Sequence, residues 1–132
     1  MDIIVLVGPG SCGKTTTINF VYNMLIDQGA ISTNRQPEGT NPLDFSDVLD
    51  WKGKKIAFLS MGDYSYRIID LIRENDNLNC DLFICACNDR FVRPFDEFAK
   101  YNNNQITKTI ANEEVLMVQA NNVDANQIFS LI

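Results

Sequence analysis

The sequence predicts an α/β fold, a three-layer sandwich in which helices cover both faces of a mainly parallel β-sheet. Short, continuous apolar runs alternate along the chain with segments whose apolar residues recur at helical spacing, which is typical of this class. The length of 132 residues suits one domain, and a hydrophobic content of 45% is enough to fill its core. We therefore expect residues 1–132 to form a single domain.

The first part of the chain predicts a strand, a helix and a long loop. Ile3–Val7 is a continuous run rich in β-branched residues, and Gly-Pro-Gly follows it, as expected of a buried parallel strand. From Lys14 the apolar residues fall at helical spacing, and Gly29 is a natural stop. Residues 30–45 contain one glycine and two prolines, which favour an irregular, mobile loop.

The middle of the chain predicts a hairpin, a helix and another buried strand. Two strand-like runs flank Lys52-Gly53-Lys54, so we expect an antiparallel hairpin, which could supply one antiparallel edge strand. Its second arm, Ile56–Ser60, is apolar enough to be central in the sheet. A helix is expected over Tyr64–Glu74, and the run from Cys80 to Cys87 reads as the next buried strand.

The last third of the sequence gives a weaker pattern. Pro94 suits the first turn of a short helix. Tyr101–Gln105 looks like a polar break, and the alternation over Ile106–Ile110 predicts a final strand. The residues around Val115 fit either a strand or a helix. Asp124 is placed to cap a short terminal helix.

The stretch from Gly8 to Thr15 reads G-P-G-S-C-G-K-T and fully matches the pattern G-x-x-x-x-G-K-[ST] between a predicted strand and a predicted helix. Such a loop turns backbone N–H groups toward a phosphate, and glycines permit the unusual backbone angles that this requires. The positive end of the following helix faces the same anion. The predicted phosphate-binding residues are Gly8, Pro9, Gly10, Ser11, Cys12, Gly13, Lys14, Thr15 and Thr16.

Over Ile3–Leu25 the chain resembles the P-loop (Walker A) NTPase superfamily, and its overall arrangement is similar to that of small bacterial P-loop nucleotide-binding proteins. The resemblance implies a bound nucleoside triphosphate, ATP or GTP, together with Mg²⁺. It implies that Lys14 contacts the β- and γ-phosphates, that the Thr15 hydroxyl binds Mg²⁺ and that Thr16 lies near the α-phosphate. GTPases have Asp-x-x-Gly at the position of Asp63, where this chain reads Asp63-Tyr64-Ser65-Tyr66, and the guanine-binding motif Asn-Lys-x-Asp is missing. A preference for GTP therefore has no support, and ATP is favoured.

A second group for Mg²⁺ is expected near this loop. The superfamily places an aspartate after an apolar strand that lies next to the first strand, and Asp63 holds the matching position here. Thr15 and Asp63 are therefore the predicted metal ligands. The Ser60 hydroxyl is an alternative, and Asp63 would also suit the N-cap of the next helix.

Two arginines follow the strand that ends near Cys87. Ligands of open α/β sheets bind at the carboxyl ends of the strands, so Arg90 and Arg93 would lie at the correct edge to stabilise charge on a transferred phosphoryl group. A pair of solvated surface cations is the competing interpretation. Together with Lys14 and Asp63 they form the predicted catalytic set.

Residues 30–45 should also return over the phosphate edge, where such a segment can act as a switch or supply an acceptor site. They include Arg35, Glu38, Thr40 and Asp44. The chain contains no histidine, so a general base would have to be a carboxylate such as Asp44, Asp47 or Asp63.

These features leave three functions open. The first is Mg²⁺-dependent hydrolysis or kinase-like phosphoryl transfer. The second is a non-catalytic or GTPase-like nucleotide switch that presents the loop over residues 30–45 to a partner. The third is a site for sulfate or another simple anion.

The composition of the chain disfavours some classes of binding partner. The formal net charge of −6 disfavours a broad nucleic-acid interface and an anionic membrane surface. The first apolar run is too short to span a bilayer. Four cysteines without a disulfide or zinc spacing suggest buried thiols in a reduced, cytoplasmic protein. A protein partner or a homodimer stays open.

Overall fold

The computed structural model describes residues 1–132, which form seven strands and four helices. The elements in chain order are β1 (Asp2–Gly8), α1 (Lys14–Asp27), β2 (Ile31–Ser32), β3 (Gln36–Pro37), β4 (Phe45–Trp51), β5 (Lys54–Leu59), α2 (Ser65–Asn77), β6 (Leu82–Asn88), α3 (Arg93–Phe98), β7 (Asn102–Thr107) and α4 (Glu114–Ser130).

All seven strands belong to one mixed sheet with the order β2-β4-β5-β6-β1-β7, and β3 also pairs with β4. Strands β5, β6, β1 and β7 are parallel to one another. The pairings of β4 with β2, β3 and β5 are antiparallel. The α/β class is confirmed, whereas the mainly parallel sheet is not, because three of the six pairings are antiparallel.

Helices cover both faces of the sheet, which makes the three layers. Alternate residues of a strand point to opposite faces, so each strand contributes to two cores. On one face Ile4 and Leu6 pack with side chains of α1 and α4, including Leu25 and Ile128. On the other face, residues of the same strands pack with α2 and α3, for example through Ile68. The carboxyl ends of the parallel strands are left uncovered at one edge.

The predicted hairpin is confirmed, and the preceding loop is more ordered than expected. β4 and β5 pair from Trp51↔Lys54 to Ser46↔Leu59. Lys52 and Gly53 have φ angles of 50° and 75°, which a two-residue turn that preserves strand twist requires. The two short strands β2 and β3 then pair with the outer side of β4, so β4 is not the edge strand that the sequence suggested.

The last third of the chain differs from the prediction, because most of the polar run Tyr101–Gln105, which was expected to be irregular, forms a strand. The strand expected over Ile106–Ile110 is instead β7, Asn102–Thr107, which includes most of the polar run. β7 is an edge strand paired only with β1, so its side chains can be polar and exposed. The short terminal helix is the last part of α4, a single helix of 17 residues. Asp124 therefore lies within a helix and is not a cap.

None of the helices combines the length and the apolar character that crossing a membrane would require.

Candidate functional site

The residues from Gly8 to Thr15, here called the glycine loop, connect the end of β1 to the start of α1 at the uncovered edge of the sheet. Ser11 and Gly13 have positive φ angles of 56° and 94°, which turn the backbone back on itself. None of the backbone N–H groups from Gly10 to Thr16 donates to an acceptor within the protein. A run of free N–H groups at a helix N-terminus is a binding site for an anion.

Lys14 is buried within this loop, with 5% of the residue exposed. Its Nζ donates to the Pro9 carbonyl oxygen at 2.6 Å and lies 3.8 Å from the Cys12 Sγ. The ammonium group is therefore surrounded by the loop itself. A positive charge held next to unpaired N–H groups strengthens the attraction for a phosphate group.

Two glycines of the loop are required because neighbouring elements approach closely. A Cβ at Gly8 would lie 2.9 Å from the Cβ of Lys108, which follows β7. A Cβ at Gly13 would lie 2.6 Å from the Oδ1 of Asn121 on α4. Real Cβ contacts are longer than this, so a side chain at Gly8 would displace the chain at Lys108, and one at Gly13 would displace the side chain of Asn121. Sequence reasoning did not identify Lys108 or Asn121, since both are remote from the loop in the chain.

A cavity of about 290 Å³ opens above the loop. Its lining residues come from the glycine loop, from the segment before β4 and from the segment after β5: Ser11, Cys12, Gly13, Lys14, Thr15, Thr16, Asn41, Leu43, Asp44, Gly62 and Asp63. The structure thus brings Asp63 to the same cavity as Lys14 and Thr15. Asp44, which the sequence offered only as one of several bases, completes the opposite wall.

Asp63 reaches the cavity although its strand is not adjacent to β1. The prediction of neighbouring strands is wrong, because β6 lies between β5 and β1. The chain after β5 crosses the end of β6, where the Asn88 N–H donates to the Gly62 carbonyl oxygen at 2.9 Å. A Cβ at Gly62 would meet the backbone of Ala86 and Cys87 at 2.9 Å, so glycine is needed for this crossing.

The pKa of the Asp44 carboxyl responds to its position in the cavity and to the charge of Asp63. Burial is the main reason why the pKa of the Asp44 carboxyl is raised, and the negative charge of Asp63 raises it further. Asp63 itself is exposed and is not the N-cap of α2, since that position belongs to Tyr64. Two carboxylates that line one cavity beside the glycine loop would attract a cation.

The Thr15 hydroxyl lies at the boundary between α1 and β5, where its Oγ1 donates to the Ser60 carbonyl oxygen at 3.3 Å. The Ser60 hydroxyl, considered above as an alternative metal group, is fully buried. It donates to the Leu43 carbonyl oxygen at 2.7 Å and accepts from the Phe45 N–H at 2.9 Å. Ser60 does not line the cavity, so its role is to hold the segment before β4 against the end of β5.

The two predicted arginines lie outside the cavity. Arg93 is the first residue of α3, and its guanidinium lies 5.8 Å from the ring centroid of Tyr66. Arg90 is exposed, and its backbone N–H donates to the Asn88 Oδ1 at 3.0 Å. The structure therefore places neither arginine beside Lys14.

Two further residues, one in β4 and one in the segment before it, have structural partners. Asp47, a candidate base in the sequence, is 3% exposed and accepts hydrogen bonds from the Tyr22 hydroxyl at 2.7 Å and the Asn34 N–H at 2.9 Å. The Arg35 guanidinium stacks over the Phe45 ring at 4.0 Å. Neither Asp47 nor Arg35 lines the cavity above the glycine loop.

Glu38 connects the loop before β4 to α2. Its Oε2 accepts from the Arg67 Nη2 at 3.0 Å and from the Ser46 hydroxyl at 2.9 Å. The hydrogen bonds from Arg67 are the main reason why the pKa of Glu38 is lowered. This ion pair ties together the two segments that carry Asp44 and Asp63.

The cysteines fall into two groups. Cys80, Cys85 and Cys87 are free and buried, as the sequence predicted, and burial raises the pKa of Cys87 to about 12. Cys12 is half-buried and lines the cavity. No group of three or more His, Cys, Asp or Glu side chains is arranged to hold a metal ion. A magnesium ion in the cavity of the glycine loop would need further ligand atoms from a bound molecule, as Mg²⁺ does where it binds together with substrate phosphates.

Comparison of the chain with protein-family models, with curated proteins and with solved structures finds no match.

Proposed function

We propose that the protein binds a nucleoside triphosphate, by preference ATP, at the glycine loop and transfers its terminal phosphoryl group to water or to an acceptor. One observation carries the proposal. The backbone N–H groups from Gly10 to Thr16 are free, and the same loop holds the buried ammonium of Lys14, which donates to the Pro9 carbonyl oxygen at 2.6 Å. A polyphosphate is the anion that such an extended row of donors suits best, because it offers oxygens along its length.

We assign magnesium to the same cavity. The Thr15 hydroxyl and the Asp63 carboxylate are hard oxygen ligands, which Mg²⁺ prefers, and both line the cavity. The bound ion would offset the charge of the phosphates. In this assignment Lys14 binds the terminal phosphates and Asp63 fixes the metal side of the site. Positioning and charge neutralisation are the main sources of rate in phosphoryl transfer.

A nucleotide switch without turnover is the alternative, and the Glu38–Arg67 ion pair favours it. This pair joins the loop before β4 to α2, so a ligand that moves either segment would change their shared surface. Phosphate release distinguishes the two functions, since a switch module would bind nucleotide without catalytic turnover.

The proposal is tested with a panel of nucleotides, with and without Mg²⁺, read by thermal unfolding. At a hundred-fold excess over its dissociation constant, a ligand of the native state stabilises the protein by about 2.7 kcal/mol. Lys14→Ala should abolish this stabilisation, whereas Lys54→Ala, which removes an exposed lysine at the start of β5, should keep it.

Sulfate and inorganic phosphate serve as the anion controls, and phosphate release is measured on the same samples. Equal stabilisation by sulfate and by the nucleotides would support a simple anion site. An unchanged melting temperature at millimolar nucleotide, or an undiminished shift in Lys14→Ala, would refute nucleotide binding at the glycine loop.

A further inference from the structure

A second and larger cleft of about 730 Å³ lies beside the cavity of the glycine loop. It is called the side cleft here, and it runs between the segment before β4 and the start of α2. The residues used below are Asp44, Asp63, Tyr64, Tyr66 and Asp70, which all line it. Asp44 and Asp63 also line the first cavity, so the two spaces share a wall. A molecule in the side cleft would lie next to the phosphate end of a bound nucleotide.

The lining of the side cleft is acidic. It includes four carboxylates, of Glu38, Asp44, Asp63 and Asp70, and one cation, Arg67. The Arg67 guanidinium is already held by Glu38, with an Nη2–Oε2 distance of 3.0 Å. Asp70 is exposed on α2 and makes no ion pair. Such a surface attracts a positively charged ligand and repels an anion.

Three aromatic side chains also line the side cleft, and the Arg93 guanidinium lies 5.8 Å from the ring centroid of one of them, Tyr66. Tyr64 and Tyr66 are 61% and 70% exposed, and Phe91 is half-buried. Aromatic faces bind organic cations and flat groups. The volume lies in the range of sites that hold small molecules.

We infer that the side cleft is the acceptor site of the proposed phosphoryl transfer and that its ligand is an organic cation carrying a hydroxyl group. This inference rests on the proposed function. The acceptor oxygen would form a bond to the γ-phosphorus while the bond from that phosphorus to the β–γ bridging oxygen breaks. The nucleoside diphosphate leaves with the electron pair of that bond, and the hydroxyl proton passes to the Asp44 carboxylate. Asp44 suits this role because it lies on the wall that both spaces share.

The inference is tested by NMR titration with three probes that share one scaffold: tyramine, which is a cation, tyrosol, which is neutral, and 4-hydroxyphenylacetate, which is an anion. We expect tyramine to shift the amide signals of Tyr64 and Tyr66 and the anion to leave them unchanged. Asp70→Asn should weaken tyramine binding about two- to five-fold, as for one exposed charge pair. Asp27→Asn, which removes an exposed carboxylate at the far end of α1, should not.

Three outcomes would overturn the inference: no shift of the cleft amides at tens of millimolar tyramine, equal binding of the anion, or displacement of tyramine by Mg-ATP. The last would assign the cleft to the nucleotide itself. The melting shift with Mg-ATP should be unchanged in Asp70→Asn. If Mg-ATP does not shift the melting temperature of the wild-type protein, the proposed function is refuted, whatever the three probes show.

Discussion

The buried ion pair between Lys108 and Asp124 predicts a large loss of stability on a single substitution. Their side chains are 0% and 2% exposed, and Nζ lies 2.9 Å from Oδ2. The same carboxylate accepts hydrogen bonds from the Thr109 N–H at 2.8 Å and from its hydroxyl at 2.7 Å. After Asp124→Ala the ammonium would keep only the Thr109 carbonyl oxygen, at 2.7 Å. The pair joins α4 to the end of β7, directly behind the glycine loop.

The expected loss in the free energy of unfolding is about 3–5 kcal/mol, because a buried charge without its partner keeps its full desolvation cost. The two hydrogen bonds to Thr109 add little, since this residue is exposed and water can replace the carboxylate. A domain of this size has a total stability of roughly 5–15 kcal/mol, so the variant would lose a large share of it.

Urea unfolding followed by circular dichroism measures the effect. The matched control is the double variant Lys108→Met with Asp124→Ala, which removes both charges and leaves no buried charge without a partner. It should recover most of the loss, as apolar replacements of buried ion pairs do. A loss below about 1 kcal/mol in Asp124→Ala, or a double variant as unstable as the single one, would refute the reasoning.

Three further predictions concern packing and charge. Gly13→Ala should lower the free energy of unfolding by about 2–4 kcal/mol, because the φ of 94° disfavours a side chain and the new Cβ would meet Asn121. Adding Asn121→Ala should remove the cost of that contact and leave the cost of the backbone angle. If the double variant recovers no stability in urea unfolding, the contact with Asn121 is not a source of the loss. The lowered pKa of Glu38 contributes stability above the pKa of the unfolded chain, which is lost as the pH falls through the folded value. Glu38→Gln should therefore flatten the loss of stability toward acidic pH, though modestly because Arg67 is 38% exposed, and equal pH slopes would refute this. Trp51→Phe removes a buried Nε1 that has no hydrogen-bond partner, so the free energy of unfolding should change by no more than about 1 kcal/mol in thermal unfolding. A loss above about 2 kcal/mol would contradict this prediction.

Elements with a strong local signal were predicted from the sequence. The continuous apolar run of β1 and the helical spacing after Lys14 each depend on neighbouring residues, as does the turn at Lys52-Gly53. The elements that were predicted wrongly depend on contacts with residues that are distant in the sequence. β7 is polar because it lies at the edge of the sheet, and nothing within its own residues indicates that β1 is its neighbour.

The candidate site divides in the same way. The sequence by itself determined the glycine loop, because its backbone angles and free N–H groups are properties of consecutive residues. Only the tertiary structure decided what faces that loop. In the folded chain β6 lies between β1 and β5, and the segment that carries Asp63 crosses the end of β6 at Gly62. Asp44 lies in the wall that the cavity of the glycine loop shares with the side cleft. The tertiary structure also placed Arg93 against Tyr66, away from the loop, because long-range strand order and packing set these distances, and sequence spacing does not encode them.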